Sequence, residues 1–109
     1  MRMHTTQEGD ARIVAPLEDI DQNTSPVLER ELKSAINEGC QKIILDFSRV
    51  TYIESSGIGA IVRAHRLMKE RGGAIVLGGC NESMQKIFKL VNFQRYFKIT
   101  GSLEEAMEA

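Results

Sequence analysis

The sequence predicts an α/β fold in which strands alternate with helices around one sheet. Three observations carry that expectation. The apolar runs "ARIVAPL", "KIILDF" and "AIVLGG" read as strands, and the last two are continuous enough for buried parallel ones. The stretches between them place apolar residues at helical spacing, bounded by capping and stop residues. The length of 109 residues, with 42% hydrophobic and 27% charged, fits one domain with one ordinary core.

The elements follow in order. Alternation from Ala11 to Leu17 predicts the first strand, preceded by a frayed partner near the N-terminus. In "DQNTSPVLERELKSAINEGC", Ser25 is the expected N-cap and Pro26 the first helical residue, with Glu29 and Glu31 near the positive end of the dipole. Leu28, Leu32, Ala35 and Ile36 mark the apolar face, and Gly39 a left-handed stop. The strand Lys42–Phe47 comes next. A long helix then starts at Ser55 or Ser56 and runs to Arg71, where Gly72 and Gly73 close it.

On that helix Ile58, Ala60, Ile61, Val62, Ala64, Leu67 and Met68 share one arc, and Arg63, Arg66, Lys69 and Glu70 take the other. His65 falls within the apolar arc and reads as a packing residue. "NESMQKIFKLVN" is a capped helix with Met84, Ile87, Phe88 and Val91 on one face and Asn92 as its stop. "YFKIT" is a last short strand. "SLEEAMEA" is a terminal helix with Ser102 as cap, Glu105 at the capping-box position, and Leu103, Ala106 and Met107 as a thin apolar stripe. Such alternation implies right-handed crossovers, and functional groups gather where strand C-termini feed helix N-termini.

Composition removes several functions. A net charge of −1 supplies no basic footprint for nucleic acid or an anionic membrane. No segment has the roughly 20 apolar residues a membrane span needs, and the N-terminus has no apolar leader, so the expected place is the cytoplasm. Cys40 and Cys80 stand far apart and read as free thiols, and His4 and His65 add no metal-ligand spacing.

The stretch "VTYIESSGIGAIV", Val50 to Val62, carries the chemistry. It is not a nucleophile elbow, because Ile53 and Glu54 precede Ser55 where a glycine is needed. No phosphate-cradling G-x-x-x-x-G-K-[ST] loop exists, and "GIG" at Gly57–Gly59 lacks the third glycine of a dinucleotide fingerprint. No self-contained catalysis is expected, and so no catalytic residues are assigned. In the structural reading Ser56 caps the helix and the glycines let the turn pack tightly. Ser55 is then spare and faces solvent beside free amide groups, where a phosphate would gain from the helix N-terminus. That reading reaches a phosphorylation-gated docking surface and names no partner.

"IILDFSRVTYIESSGIGAIV" resembles the signature of the STAS family of bacterial anti-sigma factor antagonists, D-x-S-x-V-x-x-[IM]-D-S-S-G-[LI]-G. Asp46, Ser48, Val50, Ile53, Ser55, Ser56, Gly57, Ile58 and Gly59 match it. The order of strands and helices matches from about Ala11 to Ala109, so the likeness covers nearly the whole of a single domain spanning residues 1–109. The resemblance implies a mixed, mostly parallel sheet of four or five strands packed with about four helices. It also implies an anti-sigma factor that is a serine protein kinase, which binds the unmodified form, phosphorylates Ser55 and lets go. A metal-dependent serine phosphatase restores the binding form. ATP and metal ions belong to these partners, so the resemblance implies no cofactor here.

The chain departs from the family pattern in two places. Glu54 stands where the pattern has Asp, and is either part of the docking site or a solvated loop charge. Upstream, Asp21 and Thr24 match the family's partner-facing turn, with Asn23 between them, while Glu18 replaces a glycine. Asp21 is either a contact residue or a local turn former. The expected docking set is therefore Asp21, Asn23 and Thr24 with Glu54, Ser55, Ser56, Gly57, Ile58 and Gly59. The alternatives are an unphosphorylated scaffold subunit of a transporter or signalling assembly, and a nucleotide binder at the helix N-terminus near Gly57.

Overall fold

A computed structural model describes residues 1–109. Five strands form one sheet in the order β1 (Met3–Glu8), β2 (Ala11–Pro16), β3 (Lys42–Asp46), β4 (Ala74–Gly78) and β5 (Lys98–Ile99). β1 runs antiparallel to β2 and every later pairing is parallel. The mixed, mostly parallel sheet is as expected. The N-terminal partner strand is not frayed, since it pairs with β2 along its whole length, from Met3 opposite Pro16 to Glu8 opposite Ala11.

Helices α1 (Ser25–Asn37), α2 (Ser55–Glu70) and α3 (Glu82–Leu90) connect the parallel strands. They cover one sheet face, where Val14, Ile43, Leu45, Ile75 and Leu77 meet Leu32, Ile61, Met68 and Phe88 in the main core. Because strand side chains alternate, Ile13, Ile44 and Val76 point the other way. The terminal helix α4 (Leu103–Glu108) covers that face through buried Ala106. A Cβ on Gly78 would lie 2.7 Å from the Ala106 Cβ, so glycine is what lets α4 lie on β4. Each fully buried Leu, Ile or Phe contributes about 1.5–3 kcal/mol, which makes the larger face the main source of stability.

Several local expectations need correction. The boundary residue of α1 is Thr24, and Ser25 is a buried residue inside the helix with Pro26 following it. The Ser25 N–H donates to the Asp21 carbonyl at 2.8 Å, so the upstream turn replaces a side-chain cap. Glu29 lies beyond the first turn of α1 and pairs with Arg63 of α2 instead of serving the dipole. Val91 and Met107, placed on apolar stripes, are 42% and 43% exposed.

Asn92 does stop α3, with φ +61°, and a short 3-10 turn, η1 (Phe93–Arg95), follows. β5 holds two residues only, because the chain bends after burying Phe93 and Phe97. Ser102 caps α4 by accepting from the Glu105 N–H at 3.2 Å. The Glu105 carboxylate accepts from the Ser102 hydroxyl, not from its backbone as a capping box requires. His65 packs against Phe97 with ring centroids 4.8 Å apart, and burial pushes its pKa down, with Lys69 adding to the effect. Both cysteines are free thiols, and burial pushes Cys80 up to about 12.

Candidate functional site at the N-terminus of α2

Two loops at the C-terminal end of the sheet meet to form the site. The first, after β2, runs through Ile20 to Thr24; the second, after β3, runs from Phe47 to Glu54. Ile20 and Ile53 form an isolated parallel bridge between them. Its hydrogen bonds run from the Ile20 N–H to the Tyr52 carbonyl at 3.2 Å and from the Glu54 N–H to the Ile20 carbonyl at 2.8 Å. Both isoleucines are buried, so the bridge rests on the core while its flanking residues face solvent.

Carboxylates stiffen both loops. Asp19 accepts from the Thr51 N–H at 2.8 Å, the Thr51 hydroxyl at 3.0 Å and the Tyr52 N–H at 3.2 Å. The Thr51 N–H is the main reason its pKa lies below the ordinary carboxylate value. Asp21 accepts from the Asn23 N–H at 2.8 Å and the Thr24 N–H at 2.9 Å, and Thr24 is the larger cause of its lowered pKa. The Thr24 hydroxyl accepts from the Asp21 N–H at 2.8 Å, closing the turn. Glu54 reaches across and accepts from the Gln22 N–H at 3.2 Å. Asp21 is thus a turn former by its bonds, and Glu54 is a tie between loops and not a free solvated charge.

Glu54 is also the boundary residue of α2, with extended backbone and no side-chain bond to the helix. Its carbonyl accepts from the Gly57 and Ile58 N–H groups, while the Ser55 and Ser56 N–H groups have no acceptor. Two backbone donors at the positive end of a helix therefore remain free. Ser55 is exposed and its hydroxyl makes no hydrogen bond.

Ser56 is not the cap. Its Oγ is buried without a hydrogen-bond partner, because the first turn rotates it under the surface. Gly57 is buried beneath it, and a Cβ there would lie 2.5 Å from Ile20 Cγ2 and 2.8 Å from Ile53 Cγ1. Glycine is required so that α2 can close on the bridge. Ile58 and Gly59 are half-buried on the following turn. The predicted set is therefore brought together in two layers. Asn23, Ser55 and the edges of Asp21, Thr24 and Glu54 form the outer one, and Ser56 and Gly57 support them.

Sequence reasoning missed Asp19. The one signal it offered was an acid next to an apolar residue in the loop after β2, and nothing local reveals that its bonds go to Thr51 and Tyr52. No group of three His, Cys, Asp or Glu side chains is arranged to hold a metal ion. No helix is long and apolar enough to cross a membrane.

Comparison with known proteins adds the family. The STAS domain family model matches residues 2–106. The chain belongs to the STAS domain family. This STAS domain is similar to TM1081 of Thermotoga maritima, whose crystal structure superposes with a TM-score of 0.91 at 27% identity, covering 97% of this chain and 92% of that one. By sequence it is 24% identical over 90 residues to the anti-sigma-B factor antagonist of Bacillus subtilis, covering 83% of this chain and 82% of the relative. SpoIIAA, an anti-sigma factor antagonist, shares the fold at 20% identity in its unphosphorylated form, with a TM-score of 0.77 and coverage of 95% and 92%. Its phosphorylated form from Bacillus superposes equally well, at 0.77, with 19% identity and coverage of 98% and 97%.

Proposed function

We propose that this STAS domain is an anti-sigma factor antagonist in a cytoplasmic partner-switching pathway, gated by phosphorylation of Ser55. Residues 1–109 act as one unit in this reading. The observation that carries it is the exposed, unbonded Ser55 hydroxyl beside the two free N–H groups of the α2 N-terminus. The family membership and the antagonist relatives support the same role.

Unmodified, the outer layer of the site docks on an anti-sigma factor that is also a serine protein kinase. The kinase transfers a phosphoryl group from its own ATP to Ser55 Oγ, and the hydroxyl proton leaves to the kinase's base. A metal-dependent phosphatase hydrolyses the ester and resets the cycle. The domain supplies the acceptor and the surface and performs no catalysis.

The energetics favour a switch that leaves the fold intact. Phosphorylation adds about −1.5 to −2 charges and three acceptor oxygens. In the free domain the helix N-terminus offsets that charge by 0.3–1 kcal/mol, up to about 2 when partly buried. In the complex the dianion would be stripped of water, and this chain offers it no cation between Val50 and Val62. Burying an unpaired charge costs several kcal/mol, and each 1.4 kcal/mol is about tenfold in affinity.

Ser55→Ala and Ser55→Asp variants, titrated against the cognate anti-sigma factor, test the reading. Ser55→Ala keeps wild-type affinity within about threefold, and Ser55→Asp loses at least tenfold. Equal affinity for the two variants rejects the gate.

A further inference from the structure

Positive charge in this chain is segregated. Between Glu82 and Glu104 the sequence holds Lys86, Lys89, Arg95 and Lys98 and no acid, in a protein of net charge −1. The outer face of α2 adds Arg66 and Lys69 nearby. None of these six cations makes an ion pair within the chain, whose pairs use Arg2, Arg12, Lys33 and Arg63.

Large apolar side chains stand in water in the same region. Leu90 is 83% exposed, Tyr96 58% and Val91 42%. Beside them a groove of about 640 Å³ opens between α2 and η1, lined by Val62, His65, Phe93 and Phe97 and rimmed by Arg66 and Lys69. Glu70 is the one acid that lines it. Lys86 and Lys89 border two further hollows, one of about 390 Å³ that Glu82 also lines and one of about 350 Å³ beside Leu90.

We propose that this face is a second docking surface, which takes an acidic amphipathic helix of a partner protein. A groove of apolar walls fits the apolar ridge of such a helix, and acids flanking that ridge meet the unpaired lysines and arginines. Concavity separates this occupant from a lipid bilayer, because a flat surface touches protruding Leu90 and leaves the groove unfilled. The face is separate from Ser55. Its α2 lining runs from Val62, seven residues beyond Ser55 and about 10 Å at the helical rise, through Lys69 at about 20 Å. One partner can therefore hold the domain here while the α2 N-terminus docks and releases another.

The test uses the full-length protein and a synthetic peptide of about five helical turns, with leucine along one face and glutamate on the others. Amide NMR shifts and fluorescence anisotropy are followed at low and moderate salt. The proposal expects saturable binding that weakens with salt, with shifts at Val62–Lys69 and Lys86–Phe97 and none at Ser55–Gly59. Leu90→Ser and the Lys86→Glu/Lys89→Glu pair should each weaken it at least tenfold while leaving the urea midpoint unchanged. A matched peptide with lysine in place of glutamate should not bind.

Four outcomes overturn the proposal. They are no saturable binding at millimolar peptide, shifts centred on Ser55, or affinity indifferent to both sets of substitutions. The fourth is preference for another occupant: tighter retention on phosphatidylglycerol vesicles, or self-association lost in Leu90→Ser, which would assign the face to a membrane or to a second copy.

Discussion

Gly57 sits so close to Ile20 that an added Cβ would lie 2.5 Å from the Ile20 Cγ2 atom. This contact seats the first turn of α2 on the bridge between the two loops, and so fixes where Ser55 emerges. Gly57→Ala must push the helix off Ile20 and Ile53, and overpacking of this kind costs about 1–3 kcal/mol. Gly59 is different, since a Cβ there meets the flexible end of Arg63 at 3.2 Å. Gly59→Ala is expected to be neutral or to stabilise by up to about 1 kcal/mol through helix propensity. Urea unfolding of the two variants checks both values.

The loops depend on Asp19 and Glu54 for their mutual position. Asp19→Ala removes the acceptor for two N–H groups and one hydroxyl, while Glu54→Gln keeps an acceptor for the Gln22 N–H. These are exposed bonds, so each change should cost global stability about 1 kcal/mol or less. Local order should respond more. Hydrogen exchange at Thr51 and Tyr52 is expected to accelerate at least tenfold in Asp19→Ala and to stay near wild type in Glu54→Gln.

Arg63 and Glu29 join α2 to α1 through two bonds of 2.6 and 2.9 Å. The bidentate geometry favours the pair, but the Arg63 side chain is about half exposed, with 54% of its surface accessible. Solvent screening keeps the contribution small. Arg63→Ala should lower the urea midpoint slightly at low salt and less at high salt.

Stability should fall as pH is lowered, first through His65 and then through the carboxylates that the fold holds below their ordinary values, Glu29 from below pH 4.5 and the two aspartates lower still. Burial holds the His65 pKa below its ordinary 6.5, so the unfolded chain binds its proton first. Stability from this group is therefore complete above pH 6.5 and is lost as pH falls through the folded value. His65→Phe keeps a ring against Phe97 and should remove that step. Asp19 and Asp21 are held below 3.8, mainly by the Thr51 and Thr24 N–H groups respectively. Their step begins only below that pH and should persist in the His65 variant. Urea midpoints across the pH range check both windows.

The elements with strong periodicity were legible in the sequence because local pattern and tertiary burial agree there. Leu28, Leu32, Ala35 and Ile36 are buried as their spacing requires, and so are Ala60, Ile61, Ala64 and Met68. The loop that leads into α2 was legible as a motif, not as geometry. A cap at Ser56 was the expectation from local chemistry, yet the demand that Gly57 face Ile20 turns Ser56 inward and leaves its hydroxyl unpaired. Asp19 was missed for a related reason, since its partners Thr51 and Tyr52 are more than thirty residues away along the chain. η1 escaped because its position is set by burying Phe93 and Phe97, not by a local signal.

Titration of the cognate anti-sigma factor with the domain carrying phosphoserine at position 55 tests the proposed gate most directly. A wild-type urea midpoint together with affinity reduced at least tenfold is the predicted result. Undiminished affinity of a folded, fully phosphorylated domain would contradict it.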